Sequence, residues 1–276
     1  MSFRRLGLAL LAGLGTVLLA LTLRDYLFAG SLGDECAYRL AAGRIVDGAP
    51  LYDSTAVPGV TPCAYFYPPL IAQLLVAVYA MIAEPMIAAL VATAAALAAL
   101  LYLAGPRPWV TRLLLALAFI AFLPVAAELK FRNLHLPMAV ALVAGLRGHP
   151  WVIALAACVK FNPLVAIAHL AGRGDWHGVR QALGAGVALL VFGFSLAPTL
   201  WGEWLAVMGP TATEGIPYPL RLAVCALVAG IGARRLAPRW SEPLTVLCVI
   251  AAAPVLYPTS FVLLLALPRL ARTRTA

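Results

Sequence analysis

Long apolar runs recur along the whole chain, at about 6–28, 67–83, 86–104, 110–127, 134–147, 151–171, 179–199, 219–236 and 243–267. About 20 consecutive apolar residues in helical form cross a bilayer core. Lipid offers the backbone no hydrogen-bond partner, so a spanning segment must satisfy its own N–H and C=O groups. The runs lack the alternation of barrel strands, which leaves helices. Composition agrees: 63% of the residues are hydrophobic and 11% charged, against about 25% charged in a soluble domain. The sequence therefore predicts an all-α, polytopic transmembrane helical bundle. Residues 1–276 form a single integral membrane domain, with about eight to ten spanning or re-entrant helices.

The net charge of +9 does not point to nucleic acid, because the basic residues lie between the apolar runs and at the C-terminus. That is where cytoplasmic loops carry them. Arg4 and Arg5 precede the first run, and no small-x-small cleavage site follows it. The first run reads as a retained signal-anchor helix with its N-terminus in the cytoplasm. A multi-pass protein of the cell membrane is expected. If Arg107, Arg112, Arg147, Arg173, Arg180, Arg234, Arg235, Arg239 and the basic tail face the cytoplasm, then 29–66, 129–133, 200–218 and two helix breaks face outward. The breaks are VKFNPLV at 159–165 and APVLYPTSF at 253–261. Broken helices are tolerated in membranes where they face protein or a cavity, although a plain proline kink explains either one alone. The crossings around Glu84-Pro85 stay open in this scheme.

The loop 29–66 holds Asp34, Glu35, Asp47 and Asp53, four of the eleven acids. Ala37, Leu40, Ala41 and Ile45 recur at near-helical spacing, which predicts a short amphipathic helix on the outer membrane surface. Asp34 at its start is a helix cap by the plain reading. Arg39 and Arg44 suit headgroup phosphates. Tyr65, Phe66 and Tyr67 serve as interfacial aromatics or as the wall of a sugar or lipid site. Cys36 and Cys63 are the loop's cysteines, and an extracytoplasmic space permits a disulfide between them. Two free thiols are the alternative. Cys158, Cys225 and Cys248 fall in apolar runs and read as small buried residues.

GDECAYRLAAGRIVDGAPLYD, then YFYPPL, RNL and VKFNPL, resemble the polyprenyl-phosphate-dependent mannosyltransferases of glycosyltransferase family 87. The chain is similar to a short and divergent member. Asp34, Tyr38, Ala41, Ala42, Gly48, Pro50, Tyr52, Tyr67, Pro68 and Pro69 follow the family order. Of a later Gly-Gln-x-Asn motif only Asn133 is kept, and Lys160 with Pro163 fits a family Lys with a nearby Pro. The resemblance implies a GT-C fold and transfer of a sugar, most simply mannose, from a polyprenyl-phosphate donor. The acceptor would be a cell-envelope glycolipid or glycan on the extracytoplasmic face.

A hydroxyl acceptor needs a base as it attacks the anomeric carbon, and a carboxylate supplies one. The resemblance puts that role on Asp34, with Glu35 next in rank. The leaving lipid phosphate needs cations. Lys160 is the main candidate, since a lysine inside an apolar run calls for a cavity or a counter-ion, unless it snorkels to the interface. Lys130 and Arg132 are its helpers. Glu35, Tyr38, Tyr67, Asn133, Trp201, Trp204 and Tyr257 are candidate substrate contacts. Trp201 and Trp204 also suit interface anchoring. The histidines lack ligand spacing, so no metal site is expected beyond a divalent ion shared by Asp34 and phosphate. A nucleotide-sugar donor is disfavoured for want of a glycine-rich loop after a strand. Transport of a lipid-linked sugar uses broken helices and an intramembrane lysine too; it and a non-catalytic membrane subunit are the alternatives to transfer.

Overall fold

The computed structural model describes residues 13–18, 20–21, 24, 34–53, 55–56, 61–81, 85–105, 108–208, 217–253 and 256–270, with side chains in the helix at Pro85 described from Leu90 onward. Arg4, Arg5, Glu84, Arg107, Glu214 and the tail from 271 lie outside the described residues. So do the bounds of the first apolar run.

All regular structure among the described residues is helical. The elements are α1 (Asp34–Val46), α2 (Pro69–Met81), α3 (Pro85–Leu103), α4 (Trp109–Ile120), α5 (Leu123–Phe131), α6 (His135–Arg147) and α7 (Val152–Val159). A 3-10 turn (Asn162–Leu164) leads into α8 (Val165–Gly172), α9 (Trp176–Leu196), α10 (Pro198–Met208), α11 (Tyr218–Arg235) and α12 (Pro238–Ala251). A second 3-10 stretch (Pro258–Ala266) passes into α13 (Leu267–Leu270).

Prolines cut the apolar runs into shorter pieces. The run 110–127 is two helices, α4 and α5, bent by 56°. Pro124 sits in the first turn of α5, where its missing N–H is harmless but α4 cannot be continued. The run 151–171 breaks after Val159, where Lys160 is extended (φ −146, ψ 140). Pro163 opens the next turn. Consequently α9 is long and apolar enough to cross a bilayer by itself, and the bent α4–α5 pair is a second span if counted as one. Among the described residues, the helices Pro69–Met81, Leu90–Leu103, His135–Arg147 and Pro258–Leu270 are apolar but shorter. The outward faces of α9 and α11 expose Val187, Leu190, Val191, Val224, Leu227 and Ile231.

The larger core gathers α6, α7, α8, α12 and the second 3-10 stretch around Met138, Leu142, Ile153, Val165, Val249 and Leu263. Helices α8 and α11 nearly touch: a Cβ on Gly172 would fall 2.1 Å from the Gly230 carbonyl oxygen. Small residues allow this approach, as between membrane helices. A smaller core holds Tyr38, Leu51, Tyr52, Tyr65, Trp201 and Trp204. It fastens the acidic loop onto α2 and α10. The Leu51 N–H donates to Glu203 Oε2 (3.0 Å), and the Trp204 indole donates to the Phe66 carbonyl (3.3 Å).

The helix expected over the loop forms, with the expected Ala37 and Ala41 buried and Ile45 packed against the smaller core, and of the expected face Leu40 alone turns outward. Tyr38, Ala41 and Ala42 are buried, whereas Leu40 is 47% exposed. Two tethers set this face. A disulfide joins Cys36 to Cys63, with Cα atoms 5.2 Å apart, and Glu35 pairs with Arg132 of the α5–α6 turn. The alanines then let α1 lie close against α2, which a face led by Leu40 would not.

Candidate functional site

The site grows from two interruptions and one loop. At the first interruption α5 ends on Arg132 in the left-handed region (φ 51, ψ 48). That conformation disfavours a side-chain-bearing residue by roughly 1–2 kcal/mol. It turns the chain into α6 within three residues. The cap position of α6 is Leu134, which has no oxygen to offer. Glu128 supplies one instead: its Oε1 accepts the N–H groups of His135 (2.5 Å) and Leu136 (3.1 Å). Its Oε2 lies 3.1 Å from His135 Nδ1. His135 Nε2 in turn lies 2.9 Å from Lys160 Nζ, which the second interruption presents. The ammonium also stands over the Tyr67 ring, 5.5 Å from its centroid, a favourable cation–π placement.

Asp34 meets this assembly from the loop side. Its half-buried carboxylate accepts a hydrogen bond from Asn133 Nδ2, while Asn133 Oδ1 accepts the Leu134 N–H (2.8 Å) and is thereby fixed. Burial raises the Asp34 carboxyl above its ordinary value. The charge of Lys160 foremost, and the Tyr67 hydroxyl, pull the other way, and Glu128 adds to the rise. A helix start alone would lower the group; here desolvation wins. The result is a carboxylate of raised basicity, which is what proton acceptance asks for.

The other acids of the loop are occupied differently. Glu35 is buried and paired with Arg132. Asp53 Oδ1 accepts the Thr55 N–H (2.9 Å) and hydroxyl (2.6 Å) in a local turn. Asp47 is exposed. Arg44 donates to the Leu51 carbonyl (3.1 Å), a contact inside the loop.

Of the residues singled out from sequence, Asp34, Tyr67, Asn133 and Lys160 converge, with Tyr38 packed against Tyr67 in a tilted arrangement at 5.2 Å between ring centroids. Arg132 and Glu35 clamp α1 to the α5–α6 turn beside them. Tyr257, 40% exposed, is close enough for the Asp34 charge to act on its hydroxyl. Tyr257 thus comes to the same place as the break at 159–165. Trp201 and Trp204 are buried in an adjacent aromatic layer, 5.8 Å apart and edge-on, with Phe161 linking that layer to Lys160. Lys130 is exposed in the last turn of α5 and does not join the cluster. Sequence reasoning passed over Glu128 and assessed His135 only as a metal ligand. The signal was there: an ionisable residue within an apolar helical segment marks a functional site by default, and these two flank the Asn133 turn.

No protein-family model matches the chain, and no curated protein or solved structure matches it either.

Proposed function

We propose that the chain is a polytopic membrane glycosyltransferase of the GT-C type, related to glycosyltransferase family 87. It transfers a sugar, most simply mannose, from a polyprenyl phosphate to an envelope glycolipid or glycan. The carrying observation is that Asp34 of raised basicity and the Lys160 ammonium share one cluster built by a loop and two helix breaks. In the reaction the acceptor hydroxyl attacks the anomeric carbon from the Asp34 side. The carboxylate takes the hydroxyl proton as the new C–O bond forms. The bond to the phosphate breaks, its electron pair leaves with the phosphate, and Lys160 stabilises that charge. A single displacement of this kind inverts the anomeric configuration. The proton on Asp34 then passes to water.

Placement supports an extracytoplasmic site. The cluster lies at the N-terminal end of α6. At the C-terminal end of α6 Arg147 pairs with Glu242 (2.9 Å) and donates to the carbonyls of Arg269 and Leu270 (3.2 and 3.1 Å). Arg147 and the segments of Glu242 and Arg269 thus lie at the other end of that helix, where a cytoplasmic N-terminus and the positive-inside rule would put basic residues. The exposed apolar faces of α9 and α11 suit lipid, and the reading places the protein in the cell membrane.

The test is a choice of donors. Purified protein in lipid vesicles receives radiolabelled polyprenyl-phosphate mannose or radiolabelled nucleotide-activated mannose, each with total lipid extract. Label is expected to move to a new glycolipid from the lipid-linked donor and not from the nucleotide sugar. Label that stays on its original carrier while crossing the bilayer would instead show transport and reject the transferase.

A further inference from the structure

Glu128 and His135 are each 1% exposed, and the transfer chemistry above gives neither a task. We infer that they are positioning residues that aim the Lys160 ammonium at the lipid phosphate by fixing one tautomer of the imidazole. The inference rests on the phosphate role proposed for Lys160.

The proton arrangement follows from donor and acceptor rules. Two backbone N–H groups hold Glu128 Oε1, which fixes the carboxylate plane and leaves Oε2 facing His135 Nδ1. A carboxylate only accepts, so Nδ1 carries the hydrogen. In a neutral imidazole Nε2 is then the acceptor. An ammonium only donates, so Lys160 closes the chain by donating to Nε2. An imidazolium would set one N–H against another. With one donor on His135 and its charge over the Tyr67 ring, the ammonium is held in one direction with further N–H groups to spare. A lysine carries a flexible four-carbon stem, and a cation held before the reaction stabilises a leaving group better than one that must be collected for it.

A role as a plain helix cap predicts something different, and Glu128→Gln separates the two. The amide carbonyl still caps the His135 and Leu136 N–H groups, so the fold is kept. The amide NH2 now faces Nδ1, the ring proton moves to Nε2, and Nε2 no longer accepts from Lys160. Full-length protein in detergent is titrated calorimetrically with farnesyl phosphate and with farnesol, the same chain without the phosphate. Wild type is expected to prefer the phosphate. Glu128→Gln is expected to lose that preference by about tenfold or more at an unchanged melting midpoint. Lys160→Gln loses it as well, and the double variant loses no more than Lys160→Gln alone, because Glu128 acts through Lys160. Histidine-selective 15N spectra, assigned by difference against His135→Gln, should show Nδ1–H in wild type and Nε2–H in Glu128→Gln. A Glu128→Gln protein with the wild-type preference, or an unchanged tautomer, overturns the inference and leaves the donor reading standing. Wild-type protein that binds both ligands equally overturns the donor reading and this inference with it.

Discussion

Replacing Asp34 by Asn is expected to cut transfer by about two to four orders of magnitude, the usual worth of a positioned base, while the fold persists. The amide keeps the side chain's size, and its carbonyl can still accept the hydrogen bond from Asn133. It cannot accept the acceptor's proton. Stability should move in the opposite sense to activity. The folded Asp34 carboxyl titrates above its unfolded value because burial disfavours its charge. Its contribution to stability is therefore fully present below the ordinary carboxylate range and is lost as pH rises through the raised folded value. Near neutral pH the wild type carries that cost and the Asn variant does not. Thermal melts across pH should show the wild type losing stability over this window and Asp34→Asn holding level. Transfer near the wild-type rate in a well-folded Asp34→Asn protein would remove the base assignment.

Removing the Cys36–Cys63 disulfide should have the second-largest effect. The bridge closes a segment of sequence separation 27, worth about 3.5 kcal/mol in the chain-entropy account. It also ties the first turn of α1, which carries Asp34 and Glu35, to the segment leading into Tyr65, Tyr67 and the start of α2. Cys36→Ala with Cys63→Ala is expected to lower unfolding stability in detergent by about that amount and to slow transfer. Reductant should do the same to the wild type and nothing to the double variant. A double variant within about 0.5 kcal/mol of wild type, the usual range of a neutral surface change, would show that the Glu35–Arg132 pair and the aromatic packing hold the loop without the bridge.

The helical character, the short helix over the acidic loop and the interruption at Lys160 were legible in the sequence, because each leaves a local mark, whereas Asp34 was singled out by the family resemblance and reads locally as a plain helix cap. Apolar runs mark helices, and a lysine at an Asn-Pro break marks an interrupted one. The convergence of Asp34 with Asn133 and of Lys160 with His135 was not legible from spacing. It depends on how α5 turns into α6, and that turn uses Arg132 in a left-handed conformation that glycine or asparagine would ordinarily advertise. The Glu128–His135 pair stayed hidden for the same reason. Two residues seven apart lie on one helical face only if the helix is continuous, and here they meet because it is not. On α1 the spacing placed Ala37, Ala41 and Ile45 correctly on the inner face and Leu40 wrongly, because the tethers at Glu35 and Cys36 turn the helix toward Tyr38 and Ala42 instead. The helix lengths fell short of the apolar runs at Pro124 and Pro163, whereas Pro137, in the first turn of α6, leaves its run whole.

The central claim is that a lipid-phosphate-linked sugar reacts at the cluster of Asp34, Asn133, His135, Lys160 and Tyr67. The most direct measurement is photo-crosslinking with a polyprenyl-phosphate mannose analogue that carries its reactive group on the isoprene next to the phosphate, followed by peptide mapping. The account predicts adducts on the first turn of α1, on Tyr65–Pro69, on the α5–α6 turn and around Lys160, all displaced by unlabelled donor. Adducts confined to the exposed faces of α9 and α11, or adducts that unlabelled donor does not displace, would contradict it.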